Sequence, residues 1–278
     1  MLIMASQPLL PLQQSNVKDS RKISFIYHSL FSFSPSSKEL KRWRAGKGLS
    51  LSKKTNFPKK YPAQSTAVQE RKQKIAIDAA RSLSKIPFIL FVGVTGSLAM
   101  NNAKPESDID LMIITMHNTL WISRVLAVLY LHFSGVKLRS PKSQDEKDKV
   151  CLNLWIDETK LSWHYPKNAY IAHEIAQTVP LLNKNGIYER WLSLNKWVEN
   201  YWPYAVSVKS TKFTKKENSI FSLLLGAVNL AFYIPQRLYM SGKQTRETVN
   251  LHEAFFHPYD WGAHIMKELG KKGVVEVE

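Results

Sequence analysis

The stretch VGVTGSLAMNNAKPESDIDLMIIT, residues 92–115, decides how this chain is read. It joins two apolar runs through a glycine-bearing turn. The first run, FILFVGV at 88–94, is short and rich in branched and aromatic side chains, as suits a buried strand. The second, SDIDLMIIT at 107–115, also reads as a strand. Alternation there places Asp108 and Asp110 on one face and Ile109, Leu111 and Ile113 on the other. Between them, Thr95-Gly96-Ser97 forms a turn, and Ser97 starts a short helical segment, Leu98-Ala99-Met100. Gly96 lets the backbone approach an anion closely, Ser97 adds a hydroxyl donor, and the helical amides that follow would face the same anion.

Two carboxylates side by side on an apolar strand repel each other, and one keeps its proton unless a cation lies between them. Magnesium suits this position, because it prefers oxygen ligands and commonly takes one or two carboxylates together with substrate phosphates. A pair so spaced can hold two ions that orient and neutralise a triphosphate. A Gly-Ser turn alone is usually only a turn, and Asp-x-Asp alone is usually a solvated edge. Their order, with ten residues between Ser97 and Asp108 and an apolar strand around each, is the specific signal.

Outward from this stretch, residues 65–85 repeat apolar side chains at helical spacing (Ala67, Ile75, Ile77, Ala80, Leu83) until Pro87. LWISRVLAVLYLHF at 120–133 predicts a second helix closed by Gly135. A charged loop at 139–149 leads to a third strand, VCLNLWI at 150–156. Beyond Asp157 strand signals stop, and helices are expected at about 168–184, 187–201, 217–241, 247–256 and 260–269. Upstream, residues 1–22 read as a loose tail, and 46–64 have linker composition. Ser36 with Glu39 reads as a capping box before Leu40 and Trp43. The expectation is an α+β chain: a small mixed sheet with flanking helices at 65–160, an all-helical C-terminal domain at 161–278, and a basic, partly disordered N-terminal segment at 1–64 carrying a helical or winged-helix remnant.

Composition sets the outer bounds. The 278 residues carry 39 Lys+Arg against 22 Asp+Glu, and residues 1–74 hold 15 of the basic side chains with only 3 acidic ones. Such an excess favours polyanions, or else marks a solvated basic arm. The single cysteine, Cys151, excludes an intrachain disulfide and a multi-cysteine zinc site, which suits a reducing cytoplasm. No signal peptide is visible. The most apolar run, Ile220 to Ile234, is short for a bilayer span, contains Asn229 and ends at Pro235, so it reads as a buried helix rather than a membrane segment.

With those residues in view, 92–115 is similar to the signature of the polymerase-beta-like nucleotidyltransferases, closely over 90–115 and in element order over 65–157. The resemblance implies that Gly96 and Ser97 hold nucleotide phosphates and that Asp108 and Asp110 bind magnesium, two ions being expected. It implies a nucleoside triphosphate as substrate and transfer of its nucleoside monophosphate to an acceptor hydroxyl. The helical C-terminal half resembles the aminoglycoside and polynucleotide members, and the acceptor stays open between RNA and a small molecule. The family usually carries a third carboxylate on a later strand. Here Asn153 stands at that place, and Asp157 follows on the same face near the strand's end. Asn153 can ligate magnesium through its carbonyl but cannot accept a proton. A nucleotide- or nucleic-acid-binding regulator on the same scaffold is therefore the alternative to an active transferase.

The remaining signals are weaker. His252 and His257, beside Glu253 and Asp260, lack the spacing of a zinc helix and read as structural. His173-Glu174 reads as helix surface, and Trp191, Trp197 and Trp202 as core or a groove wall. Lys209, Lys212, Lys215 and Lys216 read as a solvated loop.

Overall fold

Ile109, Leu111 and Ile113 point to one side of a central sheet while Met112 and Ile114 point to the other, and each set belongs to a different buried cluster. The computed structural model describes residues 14–140, 145–206, 219–241, 248–256 and 259–277. In chain order the elements begin with α1 (Gln14–Ser29), α2 (Ser37–Arg42), β1 (Leu49–Leu51), α3 (Thr66–Leu83), β2 (Ile89–Val94), α4 (Gly96–Ala99) and β3 (Ile109–Thr115). They continue through α5 (Leu120–Phe133), β4 (Val150–Asp157), α6 (Ala169–Gln177), β5 (Val179–Asn183) and α7 (Ile187–Leu194), followed by a 3-10 turn at Lys196–Asn200. The last are α8 (Ser219–Ser241), β6 (Thr248–Val249), β7 (Glu253–Phe255), α9 (Trp261–Lys271) and β8 (Val274–Glu276).

Among the described residues, six strands form the main sheet in the order β5-β2-β3-β4-β7-β6. Only β3 and β4 run parallel; their neighbours pair antiparallel. Helices α3 and α5 cover one face, packing Ala76, Leu83, Trp121 and Leu131 against Val92, Ile109 and Ile113. The other face carries α1, α2, α6, α7 and α9, with Tyr27, Trp43, Ile175, Trp191 and Leu269 in a second core. A small pairing of β1 with β8 ties the N-terminal region to the last strand.

The α+β class holds, but the C-terminal half is not all helical. The expected helix over 168–184 stops at Gln177, and Val179–Asn183 joins the sheet as an edge strand beside β2. Pro180 is tolerated there because an edge strand leaves one side unpaired. The helix expected over 247–256 is a hairpin, with β7 pairing β4. Both runs are short enough for sheet pairing to override a weak helical period. Residues 14–22, read as tail, belong to α1, whose Ile23, Ile26 and Tyr27 are buried by tertiary packing. Residues 1–13 and the lysines at 209, 212, 215 and 216 lie outside the described residues, as does His257. The Ser36–Glu39 capping box is present in both halves. The apolar run at 220–234 is helical, but α8 continues past Pro235 to Ser241 and exposes Leu223, Leu224 and Leu238, so it is buried on one side only. Among the described residues no helix is long and apolar enough to cross a membrane.

One buried cation fixes the approach to β3. Lys72, in the middle of α3, is fully enclosed and donates to the carbonyls of Pro105 (3.3 Å) and Ser107 (2.6 Å) and to the carboxylate of Asp148 (2.8 Å). Arg71 adds a second contact to Asp148 at 3.2 Å. Lys72→Met removes these bonds, leaving the Pro105 carbonyl without its lysine donor and the Ser107 carbonyl with only the Asp148 N–H. It should lower unfolding free energy by about 3 kcal/mol, read from the urea midpoint at constant slope.

Candidate active site

The site is built where β2 ends and β3 begins. Val94 closes β2, Thr95 donates its backbone N–H to the Asp110 carbonyl (3.0 Å), and Gly96 opens α4 with φ +63°. That left-handed conformation favours glycine. A Cβ at Gly96 would also lie 2.6 Å from Asp110 Oδ2, so the turn passes directly against the carboxylate. Ser97, the second residue of α4, is half-buried next to it, and its carbonyl accepts from Asn102 N–H at 2.8 Å, closing the loop that leads to Asp108.

Asp108 and Asp110 come together with Asn153, as the sequence suggests. Asn153 Nδ2 donates to Asp110 Oδ1 at 2.7 Å. Its own Oδ1 is buried and has no hydrogen-bond partner among the described residues. The parallel register sets Asp110 against Cys151, and a bulge before Met112 brings Asn153 to the same face. Asp157, the other residue considered for the third-acid position, does not reach this site. It pairs with Thr115 at the far end of the strands, is fully buried, and bonds His252 Nδ1 at 2.7 Å.

Several side chains to which the sequence reading gave no part in the site, Glu174 among them as helix surface, complete the surroundings. Arg139 pairs with Asp108 Oδ2 at 2.8 Å and also contacts Glu146. Tyr170 and Glu174 project from α6 into a cavity of about 150 Å³ that Thr95, Met112, Leu154, Trp163, Tyr165 and Phe255 also line. A lone arginine in a charged loop, or a Glu within an ordinary helical period, carries no local signal of such a place. His173, beside Glu174, is not helix surface: it is buried, stacked on Trp43 at 4.0 Å. Trp191 and Trp202 are core, as read, and Trp191 also borders the cavity.

Electrostatics mark the two carboxylates. Burial, then the neighbouring Asp108 and Glu174 charges, push the Asp110 carboxyl up to about 8. Burial raises Glu174 to about 7. The Cys151 thiol is driven to about 12, by burial first and then by both aspartates, and so keeps its proton at neutral pH. Ligand atoms of Asp108, Asp110 and Cys151 lie within 4.8 Å of one another. A protonated thiol is a poor ligand for a hard cation, which leaves the two carboxylates and the unpartnered Asn153 carbonyl as an oxygen donor set. That set fits magnesium.

Two outcomes follow. Both carboxyls hold protons in the folded state at pH values where the unfolded chain, with ordinary values of 3.8 and 4.5, has lost them. Stability of the metal-free protein should therefore fall as pH rises from about 4 to about 8, and Asp110→Asn should flatten that slope in denaturation measured across this range. Gly96→Ala should cost about 1–3 kcal/mol through its left-handed backbone, and should displace the Asp110 carboxylate, detectable as weakened magnesium binding by calorimetry.

The nucleotidyltransferase domain family matches residues 74–172. Similar solved structures include a mutant of the toxin–antitoxin MntA–HpeT, at 14% identity and TM-score 0.26 over 46% of this chain and 88% of that one. Another is a toxin–antitoxin structure with AMP-PNP, at 13% identity and TM-score 0.26 over 47% of this chain and 89% of that one. No curated protein matches the chain. From the middle of α3 through β2, β3 and β4 into α6, the segment at residues 74–172 is similar to the nucleotidyltransferase domain family.

Proposed function

We propose that this protein transfers a nucleoside monophosphate from a nucleoside triphosphate to an acceptor hydroxyl, releasing pyrophosphate. The observation that carries the reading is the packing of the Gly96 turn against Asp110, with Asn153 on the carboxylate's other oxygen. A turn suited to an anion and a carboxylate suited to a cation in direct contact support the reading, because a metal–triphosphate complex needs both.

Asp108 and Asp110 would hold magnesium, with the Asn153 carbonyl as a further oxygen donor. Bound there, the cation would neutralise the phosphates and the leaving pyrophosphate. The Ser97 hydroxyl and the backbone after Gly96 bind the phosphate oxygens and fix the α-phosphorus for in-line attack. Attack forms the bond from acceptor oxygen to α-phosphorus and breaks the bond to the bridging oxygen. Asn153 cannot take the hydroxyl proton. We assign that role to Glu174, which borders the same cavity as Thr95 and whose affinity for protons near neutrality suits a general base. The cavity's aromatic wall of Trp163, Tyr165 and Phe255 would receive a planar or apolar portion of a substrate. The acceptor is RNA or a small molecule.

A second reading, nucleotide binding without turnover, is favoured by the amide at Asn153 and by Arg139, which occupies one Asp108 oxygen. Incubation with magnesium, each labelled nucleoside triphosphate, and pools of RNA and small-molecule acceptors separates the two. Transfer should be measurable and should fall at least about 100-fold in Asp110→Ala. Glu174→Gln should lower kcat and remove the rise of rate with pH through about 7. Magnesium-dependent nucleotide binding with no transfer to any acceptor would establish the second reading instead, and absence of both would sink either.

A further inference from the structure

At the end of β3 and β4 opposite to Asp108, a second cluster of ligating side chains converges. His117 follows the last residue of β3 by two positions, Asp157 ends β4, and His252 lies in the turn between β6 and β7. Their ligand atoms lie within 4.8 Å of one another. His252 Nδ1 meets Asp157 Oδ2 at 2.7 Å, and the two imidazoles stack at 5.6 Å between centroids and 26° between planes. Asp157 is fully buried, while both histidines retain access to solvent.

The cluster is held from outside. His117 N–H donates to Glu158 Oε1 (3.1 Å), and His252 N–H donates to Asn250 Oδ1 (2.9 Å). The His252 carbonyl accepts from Asp157 N–H (2.9 Å). Asp157 Oδ1 accepts from the Thr159 amide and hydroxyl, which fixes the carboxylate plane. Capping the turn after β4 requires Asp157 and Thr159 alone. It does not require the His252 imidazole on that carboxylate, nor the His117 imidazole within 4.8 Å of both.

We infer that His117, Asp157 and His252 form a binding site for a divalent transition metal of the zinc class. Two imidazoles and one carboxylate suit zinc and its neighbours and suit magnesium poorly, so the two ends of β3 differ in the cation they select. Three protein ligands leave a fourth position for water or a bound group. The ion would tie β3, β4 and the β6–β7 hairpin together. The site lies roughly 17 Å along the strand from Asp110, so it stands independently of the proposed transfer reaction.

The test uses tag-free full-length protein, stripped with a chelator and returned to neutral pH. Zinc is titrated against a chromophoric zinc chelator, and cobalt(II) is titrated with its visible absorption as readout. The wild type and the Asp108→Ala, Asp110→Ala variant should each bind one equivalent with the intense cobalt spectrum of four-coordination. The His117→Ala, His252→Ala variant should bind at least 100-fold more weakly, with circular dichroism showing that it folds. His117→Ala alone, which leaves the His252–Asp157 contact intact, should also weaken binding. Failure of the wild type to bind either metal at micromolar concentration would overturn the proposal, as would undiminished binding in the double histidine variant.

Discussion

The Asp110 carboxyl faces inward from a sheet, beside a second carboxylate and within the field of a third. Holding it charged there is costly, and much of the surrounding structure bears on that cost. Asn153 donates to one oxygen, the Gly96 turn presses against the other, and Arg139 occupies the neighbouring Asp108. None of these neutralises Asp110 outright, and its proton affinity stays raised. A site that under-neutralises its own carboxylate favours an external cation by the same free energy that penalises the empty, ionised state.

The three-layer build explains how such a group reaches a cavity at all. One face of β3 is sealed by α3 and α5. The other passes beneath α6 and leaves a cavity beside Met112 and Leu154 instead of a closed core. The Gly96 turn, the carboxylates and the cavity thus share one face and one end of the sheet. The opposite end of the parallel pair, closed over by the β6–β7 hairpin, presents imidazoles instead.

Much of this was legible from residue order. Alternation across Ile109 to Thr115 fixed which face carries Asp110, and the Gly-Ser turn, both strands and the helices at 66–83 and 120–133 lie where the pattern puts them. Local patterns could not reveal pairings between distant segments. Val179–Asn183 and Glu253–Phe255 are too short to declare themselves, and become strands only because β2 and β4 offer open edges. His173 looks like helix surface until α2 lays Trp43 over it. The Arg139–Asp108 and Asp157–His252 contacts, 31 and 95 residues apart, and the place of Glu174 in the cavity wall are likewise products of tertiary assembly.

The Lys72 bridge carries a consequence for how the protein acquires its site over time. Lys72 and Asp148 are 76 residues apart, and the segment bearing Asp108 is held between them. Closing a loop of that length must precede any gain from the contact, so this bridge belongs to the slow, non-local part of folding. A chain emerging during synthesis exposes Asp108 and Asp110 well before Asp148 exists. Through that interval the carboxylate pair sits on an unanchored segment, and the contact of Asn153 with Asp110 forms only after β4 has docked.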